Sequence, residues 1–190
     1  MTELIEHIKR FVPISEQDIA HIETCFKPLS LAKKEQLLRE GQVCKANYFV
    51  SKGCLRLYFI NEKGIEQTTL FALENWWMSD YTSLASQQAS SFYIQAIEPS
   101  EIAALSLVDE ATLLEKVPAM ERYFRLMHQK ANAVAQYRLK FLYGLSREEM
   151  YREFAASFPQ FVQRIPQYLL ASYLGFTPEY LSQLRAKKIS

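Results

Sequence analysis

Apolar residues change their spacing three times along the chain. Residues 1–27 follow a helical pattern, and Ser15 with Asp18 three positions on makes a capping-box-like start for a helix ending near Phe26. From residue 28 to 105 the pattern is β-rich. Tyr48-Phe49-Val50 leads to a turn at Ser51-Lys52-Gly53, and Cys54 to Ile60 alternates up to a hairpin turn signal at Asn61-Glu62-Lys63-Gly64. A further strand is expected at Glu66 to Phe71. Phe92 to Ile97 and Ile102 to Leu107 read as a later pair broken at Pro99-Ser100. Several short strands at this spacing predict an antiparallel roll or barrel.

From Ser106 the pattern is helical to the end. Ser106 and Asp109 repeat the cap signature and open a short helix that stops before Pro118. A long helix is expected from Pro118 to Tyr143, with Pro118 suited to its first position. Met120, Phe124, Met127, Ala131, Val134 and Phe141 recur at alternating steps of four and three, with Arg138 interrupting the stripe. A second face carries Tyr123, Leu126, Ala133 and Tyr137. Apolar stripes on two faces predict that one packs on the β domain and the other on a partner helix. Gly144 ends this helix, and Ser146 to Glu149 forms a capping box for the next, whose Met150, Phe154 and Phe158 read as core. The fold class is therefore α+β: a β domain with flanking helices in residues 1–117, a long helix in 118–143 and a helical domain in 144–190.

The most specific stretch is Gln167 to Ala186, QYLLASYLGFTPEYLSQLRA. Two helices crossing steeply need a small residue where they meet, and Ala171 supplies it. Gly175, four positions on, suits a turn that requires positive φ. Leu170, Leu174, Phe176, Leu181 and Leu184 hold the apolar offsets of the buried face. Thr177 sits where an N-cap belongs and Pro178 at the first helical position. The outward positions of the second helix are Pro178, Glu179, Ser182 and Gln183, followed by Arg185, Lys187 and Lys188, with Tyr180 facing either core or phosphate. Polar groups on a leading turn reach base edges and trailing cations meet phosphates. The plain alternative is an ordinary helical hairpin, which also favours a glycine in its turn.

Composition narrows the classes. A net charge of +1 neither requires nor forbids DNA binding, because a local basic patch is what counts. No apolar run is long enough to span a bilayer, and Met1 to Arg10 lacks the layout of a secretory signal. Cys25, Cys44 and Cys54 are odd in number, widely spaced and without a CxxC, so a disulfide framework, zinc site or iron–sulfur cluster is not expected, and the protein is placed in the cytoplasm. His7, His21 and His128 are available as haem ligands but nothing singles one out, and no cofactor is assigned. A metal-dependent cupin needs histidines on its strands, yet residues 28–105 contain none. With no GxSxG, P-loop or GxGxxG either, an enzyme is not the expectation.

The segment RIPQYLLASYLGFTPEYLSQLRAKK, following a β roll and a long helix, resembles the Crp/Fnr family of transcription regulators. The resemblance is specific in residues 164–188 and architectural before that. It implies a jelly-roll sensor domain of the cyclic-nucleotide-binding type, a homodimer along residues 118–143 and a recognition helix in the major groove of double-stranded DNA. RNA polymerase and an unidentified small-molecule effector are the other partners it implies.

Three departures stand out. Gln183 replaces an arginine common in the family, which shifts preference from guanine toward adenine. The chain ends at Ser190, leaving little room for a β wing after the recognition helix. The phosphate-binding cassette is also altered. Aligned with its Gly-Glu and Arg elements, Trp76-Trp77-Met78-Ser79-Asp80 and Ser90-Ser91-Phe92 place Ser79 for Gly, Asp80 for Glu and Ser90 for Arg. No Lys or Arg lies between Ile65 and Glu115, so a cyclic phosphate loses its strongest partner, and tight binding of cAMP or cGMP is not expected. Phe71, Trp76, Trp77, Ser79, Asp80, Ser90, Ser91 and Phe92 are the candidate ligand pocket, or else core filling the vacated space. The competing function is a non-catalytic ligand-sensing or protein-interaction module that never touches DNA.

Overall fold

The computed structural model describes residues 1–187. Two helices, α1 (Thr2–Lys9) and α2 (Glu16–Cys25), precede the first strand. The Ser15–Asp18 capping box forms in both directions: the Ser15 hydroxyl accepts from the Asp18 amide, and the Asp18 carboxylate accepts from Ser15 N–H. Eight strands follow among the described residues: β1 (Lys27–Leu31), β2 (Gln36–Leu38), β3 (Ala46–Lys52), β4 (Leu55–Ile60), β5 (Glu66–Ala72), β6 (Trp77–Met78), β7 (Tyr93–Ala96) and β8 (Ser100–Ser106). The six-residue helix α3 (Tyr81–Ser86) lies between β6 and β7, where the sequence pattern predicts only strands and turns.

The strands form two four-stranded sheets, ordered β1-β8-β3-β6 and β2-β7-β4-β5. One expectation is corrected here. β7 and β8 are not a pair: β7 lies against β2 and β4, whereas β8 lies against β1 and β3. The break at Pro99-Ser100 is thus a crossing from one sheet to the other, as a jelly roll requires. Gly53 explains how the chain passes this corner. Its φ is +98°, and a Cβ there would stand 2.7 Å from the Ser100 Cα, so only glycine fits.

Both faces of the β3–β8 sheet are buried, which follows from the period of two. Ala46, Tyr48 and Val50 of β3, with Ile102 and Ala104 of β8, join Leu55, Ile94 and Ala96 in the core inside the roll. Phe49, Ala103 and Leu105, at the intervening positions, join a second core with Leu4, Ile8 and Ile22 of the N-terminal helices. α4 (Leu107–Lys116), capped by Ser106, contributes Leu113 to that second core, and α5 (Ala119–Gly144) contributes Met120, Tyr123 and Phe124.

Contacts divide the chain into two units. One comprises Met1–Phe59 and Leu70–Gln129; the other comprises Ile60–Thr69 and the chain from Lys130 onward. In the second unit, α6 (Arg147–Ser157) starts at the expected Ser146–Glu149 capping box. α7 (Pro159–Arg164), α8 (Gln167–Leu174) and α9 (Pro178–Lys187) follow. Phe154 holds these helices together through ring contacts with Phe158, Phe161 and Tyr173 at 5.4, 6.1 and 5.8 Å.

Candidate nucleic-acid interface and sensor site

The α8–α9 pair assembles from local rules. α8 stops because Gly175 adopts a left-handed conformation, φ +73°, and its amide and that of Phe176 return to the Ser172 and Ala171 carbonyls. Ala171 is fully buried at the crossing, as are Leu170 and Leu181, while Leu174, Phe176 and Leu184 complete the buried face. Thr177 caps α9 through its hydroxyl, which accepts from the Tyr180 amide at 3.2 Å.

With the apolar face spent on packing, Thr177, Pro178, Glu179, Ser182 and Gln183 stand exposed in one row, and Arg185 is half-buried beside them. Tyr180 is half-buried between two neighbours: its ring meets Phe176 edge-on at 5.5 Å, and the Arg147 guanidinium lies 5.8 Å from it. Arg147, at the start of α6, is a cation that the sequence does not single out. Its nearness to Tyr180 adds positive charge at the N-terminal end of α9. Lys187 is the last residue of α9, and Lys188 lies outside the described residues.

The long helix behaves differently in its two halves. Up to Phe124 its apolar side chains are buried in the first unit. From Lys130 to Lys140 every side chain is exposed except Arg138, which is half-buried. Val134 and Leu139 remain 39% and 52% exposed. Helices of this length owe their stability mainly to packing of an apolar face, and this stretch has little of it within its own chain.

Arg138 is half-withdrawn by what it binds in its own unit. One Nη donates to the Thr68 and Tyr173 carbonyls at 3.4 and 3.1 Å, and the guanidinium lies 4.2 Å from the Tyr173 ring centroid. Burial pulls its pKa down from the ordinary arginine value.

In the first unit the cassette residues do not converge on one cavity. Trp76 packs against the core inside the roll, whereas Trp77 faces the helices and meets Phe49, Phe124 and Tyr123 edge-on. The two indoles thus pack against different cores and do not line one pocket. Phe71 is buried, Phe92 is half-buried against Phe59, and Ser91 is exposed.

Ser79, Asp80 and Ser90 do come together, and they satisfy one another. Asp80 is only 5% exposed; one carboxylate oxygen accepts from the Thr82 and Ser83 amides at the start of α3, and the other accepts the Ser90 hydroxyl at 2.6 Å. Ser79 donates to the Ala46 carbonyl and touches the Cys44 sulfur at 3.3 Å. Ser83 accepts from the Cys44 amide and donates to the Gln88 carbonyl. Both Asp80 carboxylate oxygens are thus engaged within the protein.

Two further clusters escape a reading of the sequence because their members are distant in the chain. The Tyr123 hydroxyl lies 2.8 Å from His7 Nδ1 and accepts from Trp77 Nε1 at 3.0 Å. An indole N–H can only donate, so the phenolic proton is left for His7 Nδ1. Burial pushes the Tyr123 pKa far above the ordinary tyrosine value. Nearby, Tyr81 reaches Asn47 at 3.3 Å and meets His128 edge-on, with its pKa pushed up to about 12, chiefly by burial. Among the described residues, no three His, Cys, Asp or Glu side chains are grouped to hold a metal ion, and no helix is long and apolar enough to cross a membrane.

Residues 28–116 match the family model of the cyclic nucleotide-binding domain. A curated relative, the anaerobic regulatory protein of Pasteurella multocida (strain Pm70), is 26% identical over 185 residues, which cover 90% of this chain and 66% of the relative. The chain therefore spans just under two thirds of that protein. Among solved structures, FixK2 of Bradyrhizobium japonicum aligns with a TM-score of 0.69 at 17% identity, covering 85% of this chain and 83% of the other. A CRP/FNR-family transcriptional regulator of Thermus thermophilus aligns with a TM-score of 0.65 at 15% identity, covering 85% and 84%.

Proposed function

We propose that the chain is a dimeric, sequence-specific DNA-binding regulator of the Crp/Fnr type, a reading supported by the match of residues 28–116 to the cyclic nucleotide-binding domain and by the likeness of its fold to the solved regulators. The observation that carries this reading is the row of exposed polar side chains on α9, from Thr177 to Gln183, held out by a fully packed apolar face. Glu179, Ser182 and Gln183 take the base edges, Gln183 favouring adenine, and Thr177, Pro178 and Tyr180 form the approach. Arg185, Lys187, Lys188 and Arg147 meet phosphates.

The dimer forms along residues 118–143, where the exposed half of α5 packs on its symmetry mate. Two recognition helices about 34 Å apart then enter successive major grooves, which calls for an inverted-repeat target. The sensor roll does not respond to cAMP or cGMP, because Asp80 is engaged by Ser90 and α3 and the predicted arginine position holds Ser90. An unidentified effector and RNA polymerase complete the partners. The protein is non-catalytic and works in the cytoplasm, where Cys25, Cys44 and Cys54 stay buried and reduced.

Selection of bound duplexes from a random pool tests this reading. Enrichment of an inverted repeat, with Gln183→Ala relaxing one position in each half, supports it. Recovery of no duplex above the input pool overturns it in favour of a protein-interaction module.

A further inference from the structure

From the way the tip of the β4–β5 hairpin is bonded to α8, we infer that Ser172 and Arg138 are positioning residues that set the orientation of the recognition helix. Among the described residues β5 is the outer strand of its sheet, so one side of its backbone faces no other strand. Ser172 takes that place. Its hydroxyl donates to the Glu66 carbonyl at 2.8 Å and accepts from the Thr68 amide at 2.9 Å, engaging consecutive outward groups as a neighbouring strand would. Arg138 takes the next group, the Thr68 carbonyl, and also donates to the Tyr173 carbonyl.

The position of these bonds within α8 is what gives them leverage. The final carbonyls of a helix lack partners of their own. The Phe176 and Gly175 amides take those of Ala171 and Ser172, and Arg138 takes that of Tyr173. A cation there also suits the negative end of the helix dipole. The last turn of α8 is thereby tied to the hairpin tip, and only Gly175 and Phe176 separate it from Thr177, the cap of α9. Ile60–Thr69 accordingly groups with the helices of the second unit and not with the remainder of its strands. Any displacement of the tip must shift the α8 end, the turn and the start of α9 together.

Amide hydrogen exchange on the DNA-free protein tests the positioning directly. Ser172→Ala removes both bonds to the hairpin, and Ser172→Thr retains the hydroxyl. Two bonds of ordinary net strength make exchange about thirtyfold faster in Ser172→Ala, both at residues 66–68 and across residues 175–184, with Ser172→Thr restoring the original rates. Faster exchange confined to residues 66–68 overturns the inference, because the hairpin would then be loosened without consequence for α9.

A second arm rests on the DNA-binding reading. Against a selected duplex, Ser172→Ala should bind about tenfold more weakly while its salt dependence is unchanged, since no phosphate contact is lost. Equal affinity for wild type and Ser172→Ala overturns the positioning role at the DNA. If the wild type binds no duplex at all, the DNA reading falls alone and the exchange measurement still decides the coupling.

Discussion

The Ser90 hydroxyl donates to the Asp80 carboxylate at 2.6 Å, with both residues almost wholly buried. The family resemblance of the sequence sets these positions against a ribose-binding glutamate and a phosphate-binding arginine. Here they bond to each other, and the carboxylate also caps α3. A cyclic nucleotide entering this site would have to break the pair and bring its phosphate to a position held by Ser90 in place of an arginine.

Calorimetric titration with cAMP or cGMP should therefore give no saturable heat at millimolar nucleotide. Ser90→Ala leaves a buried carboxylate short of one donor and should lower stability by about 1.5–3 kcal/mol. Micromolar binding of either nucleotide, or an unchanged melting temperature for the variant, contradicts this account of the cassette.

Tyr123 should be a stability determinant of the first unit through its hydroxyl as well as its ring. Tyr123→Phe keeps the packing but takes away the acceptor of Trp77 Nε1 and the partner of His7 Nδ1. A cost of about 1–3 kcal/mol is expected in denaturant unfolding, accompanied by a change in Trp77 emission. A variant as stable as the wild type would mean that the hydroxyl contributes nothing.

Tyr48 supplies a pH dependence. Burial first, then the nearby Cys44, pushes its pKa up to about 12 from the ordinary 10. The folded state therefore favours the neutral phenol. This contribution is complete below pH 10 and disappears as the pH rises toward about 12. Wild type should lose more melting temperature than Tyr48→Phe between about pH 9 and 11.5. Parallel losses in both proteins contradict the assignment.

The structure also explains which features can be read from sequence. The capping boxes at Ser15–Asp18 and Ser146–Glu149, and the Ala171–Gly175–Thr177 spacing, are set by residues within one or two turns of each other. Local pattern is enough to place them. The partition of β7 and β8 into different sheets depends on pairings with β2 and β3 far back in the chain, and no local spacing encodes it. His7–Tyr123 and Ser172–Thr68 are long-range contacts of the same kind, separated by 116 and 104 residues. Trp76 and Trp77 are different. Only Trp77 lies in β6, Trp76 precedes the strand, and the two neighbours enter different cores, a division that their adjacency in sequence does not reveal. Asp80 suits a helix cap as well as a ligand group, and reading it only as the latter hides α3.

The exposed stretch of α5 from Lys130 to Lys140 predicts self-association. Val134→Glu places a charge in the stripe that continues from Met120, Phe124 and Met127, and opposes its own copy across a two-fold axis. Sedimentation should find a wild-type dimer and a mainly monomeric variant with unchanged secondary structure. A monomeric wild type at tens of micromolar contradicts the dimer.

Fluorescence anisotropy with a labelled selected duplex, as salt is raised from about 50 to 200 mM, measures whether α9 docks on DNA. Saturable binding is expected, its log affinity falling linearly with log salt and losing at least about tenfold over that range as phosphate contacts release counterions. No binding at the lowest salt, or an affinity indifferent to salt, would contradict it.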